Sequence, residues 1–176
     1  MSLATTMPHE ENGIIVNFPD MNYFQFESCP AYTAISGQKV REMDFGWYES
    51  VADTLWLVEL KGFFHPVNTL HQPTDLSSAQ TVEGKLSELY EKSLHSLCMI
   101  SSNRNGTAGC FRSNFSNTST LKLVHILSVM PGQETYLQPM SDKLNNLLKP
   151  VKSIFRVNEI AIVPHSLARG LFAWIN

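Results

Sequence analysis

The stretch from Val40 to Phe64, VREMDFGWYESVADTLWLVELKGFF, constrains the fold more than any other part of the chain. In residues 39–48 an extended backbone puts Val40, Glu42, Asp44 and Gly46 on one face and Arg41, Met43, Phe45 and Trp47 on the other. Residues 54–63 likewise separate Leu55, Leu57, Glu59, Lys61 and Phe63 from Trp56, Val58, Leu60 and Gly62. Both segments read as strands, and the linker ESVAD is short enough to join them as a hairpin. Burying an unpaired charge costs several kcal/mol, so Glu59 and Lys61 must lie at an exposed edge, be paired, or hold something.

A turn symmetric about Val51 and Ala52 puts position 44 directly across from position 59, on the same face. Two carboxylates then confront each other with Lys61 beside them. Opposed like charges destabilise a sheet unless a cation sits between them, and oxygen ligands without Cys or His suit Mg²⁺ or Mn²⁺. An adjacent ammonium can hold a metal-bound water or neutralise a phosphate in transition. The ordinary reading of the same residues is an exposed hairpin face with a cross-strand ion pair, worth under about 1 kcal/mol.

Elsewhere the pattern predicts an arm or short edge strand over residues 1–22, then a single α/β domain over 23–176. A short strand is expected at 23–29. A helix is expected over 75–99, where Val82, Leu86, Leu89, Tyr90, Ser93 and Leu97 recur at helical spacing, capped by Thr74 or Asp75. Residues 101–120 read as a polar loop, Lys122–Met130 as a buried strand and 134–149 as a helix stopped by Pro150. A strand follows over 158–163, and LARGLFAWI fits either strand or helix. The expected architecture is a mixed central sheet flanked by helices, of the α/β (α+β) class.

Of the 176 residues, 43% are hydrophobic and 16% charged, which excludes a disordered chain, and no apolar run reaches the roughly 18 residues of a membrane span. Cys29, Cys98 and Cys110 show no C-x-x-C spacing and read as thiols. With no leader pattern at the first residues, a reducing cytoplasm is the expected compartment, and the sequons at Asn105, Asn114 and Asn117 are discounted. Residues 1–100 carry 5 Lys/Arg against 13 Asp/Glu, a balance of −8, and residues 101–176 carry 8 against 3, a balance of +5. Such polarity can set a cation-attracting region beside a phosphate-attracting one. Lys143, Lys149, Lys152 and Arg156 are the candidates for the latter.

Asp44 in MDFGW followed by Glu59 and Lys61 in VELKG resembles the PD-(D/E)xK nuclease superfamily of restriction endonuclease-like folds, over about residues 38–163. That core is a hairpin with an acid on one strand and acid-x-Lys on the next, followed by helix, strand and helix. The resemblance implies a Mg²⁺- or Mn²⁺-dependent nuclease in which Asp44, Glu59 and the Leu60 carbonyl bind the metal. Lys61 would orient the attacking water, so that Asp44, Glu59 and Lys61 form the catalytic set. It implies nucleic acid as partner, DNA first, and a homodimer where both strands are cut. The further acid that many members take from an earlier helix has no clear counterpart, Glu27 and Glu42 being the nearest carboxylates. Glu83-Gly84-Lys85 and Pro19-Asp20 match parts of the motif by chance. His65 and His71 read as loop histidines, His125 as a core histidine, and Trp47 and Trp56 as core on the face opposite the acids. The competing expectations are a catalytically inactive interaction module on the same scaffold, and an unrelated α/β fold in which the hairpin is ordinary.

Overall fold

The computed structural model describes residues 8–38, 40–63, 81–104 and 119–176. Its central feature is a five-stranded sheet of β3 (Tyr23–Gln25), β4 (Phe45–Glu49), β5 (Thr54–Phe63), β6 (Thr120–Val129) and β7 (Val157–Pro164), in that spatial order. The first three strands pair antiparallel and the last two join in parallel, making the sheet mixed. β5 spans the predicted residues. β4 is shorter than expected, because the chain before Phe45 leaves ladder geometry while Asp44 still donates its N–H to the Val58 carbonyl at 3.0 Å.

The long helix α2 (Val82–Arg104) connects β5 to β6. Thr81 caps it: the Gly84 N–H donates to Thr81 Oγ1 at 2.9 Å. The caps expected at Thr74 and Asp75 lie outside the described residues, as do His65, His71, Cys110 and the three sequon asparagines. β6 leads to α3 (Leu137–Leu147) and α4 (Lys149–Phe155), then to β7. Pro150, expected as a stop, occupies the first turn of α4, where its missing N–H would have had no helical partner. α4 itself ends at Arg156, whose φ of 55° is left-handed. His165–Leu171 forms α5, resolving the strand-or-helix ambiguity.

Strand parity divides the interior in two. Leu55, Leu57 and Phe63 of β5 face α2, α3 and α4, packing with Leu89, Leu97, Met140, Leu144 and Leu148. Val58 and Leu60 face the other way, onto Val16, Phe18, Ala168 and Trp174. The segment expected as an arm supplies part of that second layer. β1 (His9–Glu11) and β2 (Ile14–Val16) pair through a turn with Asn12 and Gly13 both at positive φ, the type I′ signature. Ile14 and Val16 are fully buried. A bridge from Val16 to Ile175 ties this hairpin to the far end of the chain.

α1 (Pro30–Ile35) was not anticipated, nor was the 3-10 turn at Phe26–Ser28. Cys29 is buried and disulfide-bonded, so it is not one of the thiols expected from the sequence, and the cysteine argument for a reducing compartment falls away. Cys98 is a free thiol. No helix among the described residues is long and apolar enough to cross a membrane.

Candidate functional site

The observed register pairs Phe45 with Val58, and continuing it by one residue sets Asp44 opposite Glu59. Both carboxylates lie on the face covered by α2, as the pleat argument expects. β4 begins at Phe45, so the Leu60 N–H and C=O, which point toward that strand, have no backbone partner there. Side chains take its place. The Leu60 N–H donates to Asp44 Oδ2 at 2.6 Å, and Asn12 Nδ2, from the tip of the β1–β2 hairpin, donates to the Leu60 carbonyl at 2.8 Å. The short side chain of an acid at position 44 thus does structural work as well as carrying charge.

Glu59 has no exposed surface. Its counter-charge comes from α2: Lys92 Nζ donates to Oε2 at 2.9 Å and stands 2.7 Å from Oε1. The same ammonium is 3.6 Å from Asp44 Oδ1. Lys92, not Lys61, is the amine that meets both acids. Lys61 turns toward the helix instead, 3.0 Å from Glu88, which also binds Lys85 at 2.8 Å. Lys85, Glu88, Lys92 and Ser96 form one polar stripe along α2, and Ser96 Oγ accepts the Met43 N–H at 2.8 Å. That bond fixes the residue just before Asp44 against the helix.

The electrostatics follow from this enclosure. Burial, and then the Asp44 carboxylate, push the Glu59 carboxyl up to about 8 against the pull of Lys92. Burial likewise raises Asp44 to about 6, despite Lys92 and the Leu60 N–H. Burial would depress Lys92, but Glu59 and Asp44 outweigh it and hold the ammonium above the usual lysine range. Burial would raise Glu88, but the hydrogen bonds from Lys85 and Lys61 win and bring it down to about 2. One ammonium balances one carboxylate, and the second negative charge is the costly one. A doubly charged ion would balance both.

A polar cavity of about 200 Å³ opens beside Asp44, lined by Glu11, Gln25, Glu27, Glu42 and Lys92. Glu27 and Glu42, the nearest carboxylates by sequence, do reach the neighbourhood of the pair. Lys149, Lys152 and Arg156 do not: they belong to α4 and its end, which pack on β7, two strands away from β5. Lys143 lies 3.8 Å from Glu83 on α2. Of the chance motif matches, Lys85 is buried against Glu88, and Asp20 accepts the Trp47 indole N–H at 3.1 Å. Trp47 is buried on the opposite face; Trp56 is only partly so, with Lys122 Nζ 5.0 Å from its ring centre.

His125 is the register partner of Glu59 on β6 and has no exposed surface. Its Nε2 lies 3.0 Å from Ser93 Oγ. Because that hydroxyl donates to the Leu89 carbonyl at 2.7 Å, the proton between the two belongs to Nε2, leaving Nδ1 without a hydrogen-bond partner. Burial, followed by the charge of Lys92, lowers the imidazole to about 3. It is a core histidine, neutral across the physiological range.

Two carboxylates suit a Mg²⁺ ion that keeps several waters. The two carboxylates have the donor chemistry for such an ion, but the Lys92 ammonium stands 2.7 Å from Glu59 Oε1 and Asn12 engages the Leu60 carbonyl, so an ion would have to displace both. The fold and site define a mixed α/β protein with a paired-carboxylate centre at its antiparallel hairpin. Comparison with protein-family models, curated proteins and solved structures gives no match for this chain.

Proposed function

We propose that the chain is a metal-dependent nucleic-acid phosphodiesterase, with Asp44 and Glu59 holding Mg²⁺ or Mn²⁺. The observation that supports this reading most is the meeting of a buried acid, Glu59, and a partly buried one, Asp44, on one face with a single ammonium between them. The metal would supply a Lewis acid for the phosphate and a nucleophilic water at neutral pH. Asp44 and Glu59 would position it from a rigid hairpin. Lys61, held 3.0 Å from Glu88, would turn from that contact to orient the water, and Lys92 would add positive charge beside the acids. Nicking of supercoiled DNA in the presence of Mg²⁺ or Mn²⁺ tests the proposal. Activity that vanishes in Glu59→Ala supports it, and activity that survives this change unaltered rejects the assignment.

A specific observation favours a second reading, the catalytically inactive module on the same scaffold. Lys92 and Asn12 occupy the groups a metal would use, and the adjoining cavity carries carboxylates of Glu11, Glu27 and Glu42 that repel phosphate. Absence of nicking by a folded protein under either metal favours that reading.

A further inference from the structure

The atoms that would bind a cation are not simply present; each is engaged by another part of the same chain. Asp44 and Glu59 share the Lys92 ammonium, at 3.6 and 2.7 Å. The Leu60 carbonyl receives the Asn12 amide at 2.8 Å. These two donors come from elements packed on opposite faces of β5: a residue midway along α2, and the left-handed apex of a hairpin in a separate two-stranded sheet. Glu11, beside Asn12 on that hairpin, lines the cavity next to Asp44 and adds to the charge that opposes ionisation of its carboxyl.

An ammonium placed between two carboxylates does what a cation would do, at half the charge. The hairpin apex is exposed, whereas Ile14 and Val16 behind it are buried, so the apex can lift while the base stays anchored. We propose that Lys92 and Asn12 form an intramolecular plug, and that a divalent cation enters the Asp44–Glu59 site only in exchange for their contacts. The inference rests on the reading of this pair as a cation site. The chain as folded is then a latent form of that site.

Binding of Mn²⁺ to the full chain, followed by loss of the free-ion electron paramagnetic resonance signal, tests the plug without recourse to activity. Asn12→Ala should bind Mn²⁺ roughly fivefold more tightly than the unaltered protein, the scale of one neutral hydrogen bond no longer in competition. Lys92→Met should gain at least about tenfold, since the displaced contact is charged. Adding Glu59→Gln to either variant should abolish the gain. Lys92→Met can fail to fold without metal; Asn12→Gly, which removes the same amide and accepts the left-handed φ of 53°, should match Asn12→Ala and keeps the test decisive. Equal affinity in the unaltered protein and Asn12→Ala, with binding lost in Glu59→Gln, would overturn the plug and leave the cation site standing. No Mn²⁺ binding by any folded variant would overturn both.

Discussion

Glu59 and His125 stand side by side on β5 and β6, both without exposed surface, and consecutive residues of α2 answer them, Lys92 for the acid and Ser93 for the imidazole. One turn of helix therefore carries the polar partners of two adjacent strands. Glu59 and His125 are themselves shut off from solvent, so each partner's loss leaves a buried group in a low dielectric rather than in water.

Removing Lys92 alone should be severe. Lys92→Met removes the ammonium that Asp44 and Glu59 share and is expected to lower unfolding free energy by about 3 kcal/mol in urea. Glu59→Gln combined with Lys92→Met should recover part of that loss, because Glu59 no longer needs a counter-charge while Asp44, 3.6 Å from the ammonium, still lacks one. A double variant as unstable as the single one would show that packing of the lysine stem, rather than charge, holds the helix to the sheet.

The pH dependence of stability should carry the signature of His125. Its pKa falls from 6.5 to about 3 on folding, so between these values the unfolded chain takes up a proton that the folded chain refuses. Stability is thus lost as pH drops through this window, by up to about 1.4 kcal/mol per pH unit from this residue. In His125→Gln, which retains a donor for Ser93, the difference in slope from the unaltered protein between pH 6 and 4 reports the effect. Parallel stability curves would contradict it.

Gly46 should not tolerate a side chain. The Phe24 ring lies directly over it, and a Cβ at this position would overlap the ring's outer carbons. Gly46→Ala is expected to cost about 1–3 kcal/mol, read as a lowered midpoint of thermal or urea unfolding. Phe24→Leu in the same chain should return part of the loss.

Thr81→Ala should remove the cap of α2 and cost about 1 kcal/mol, whereas Thr81→Ser should be close to neutral. Because Lys92 and Ser93 lie about three turns further along the helix, Mn²⁺ affinity should be unchanged in both variants. A drop in affinity with Thr81→Ala would mean that fraying at the helix start reaches the carboxylates.

How far these features could be read in advance depended on whether they are local. β5 and β6 were legible because each carries an almost unbroken apolar run, and the Asp44–Glu59 register because a hairpin fixes parity through its turn. Lys92 was hidden by its own helix: Leu86, Leu89, Ser93 and Leu97 mark the core stripe, while Lys85, Glu88, Lys92 and Ser96, each one residue earlier, look like solvated positions. Their spacing was the available signal. Asn12 carried none, since it meets Leu60 across 48 residues and the three-residue strands around it are too short for a period to show. Pro150 misled for a different reason, because a proline ends one helix and begins another with equal ease.

The bond from the Asn17 N–H to Trp174 O, at 2.8 Å, and that from the Asn176 N–H to Ile15 O, at 2.9 Å, fasten the second strand of the N-terminal hairpin to residues 174–176. The strip of chain that bears Asn12 is thereby tethered to residues more than 150 positions away. A substitution at Trp174 or Ile175 that weakens these bonds should therefore also loosen the base of the hairpin whose tip reaches the carbonyl of Leu60.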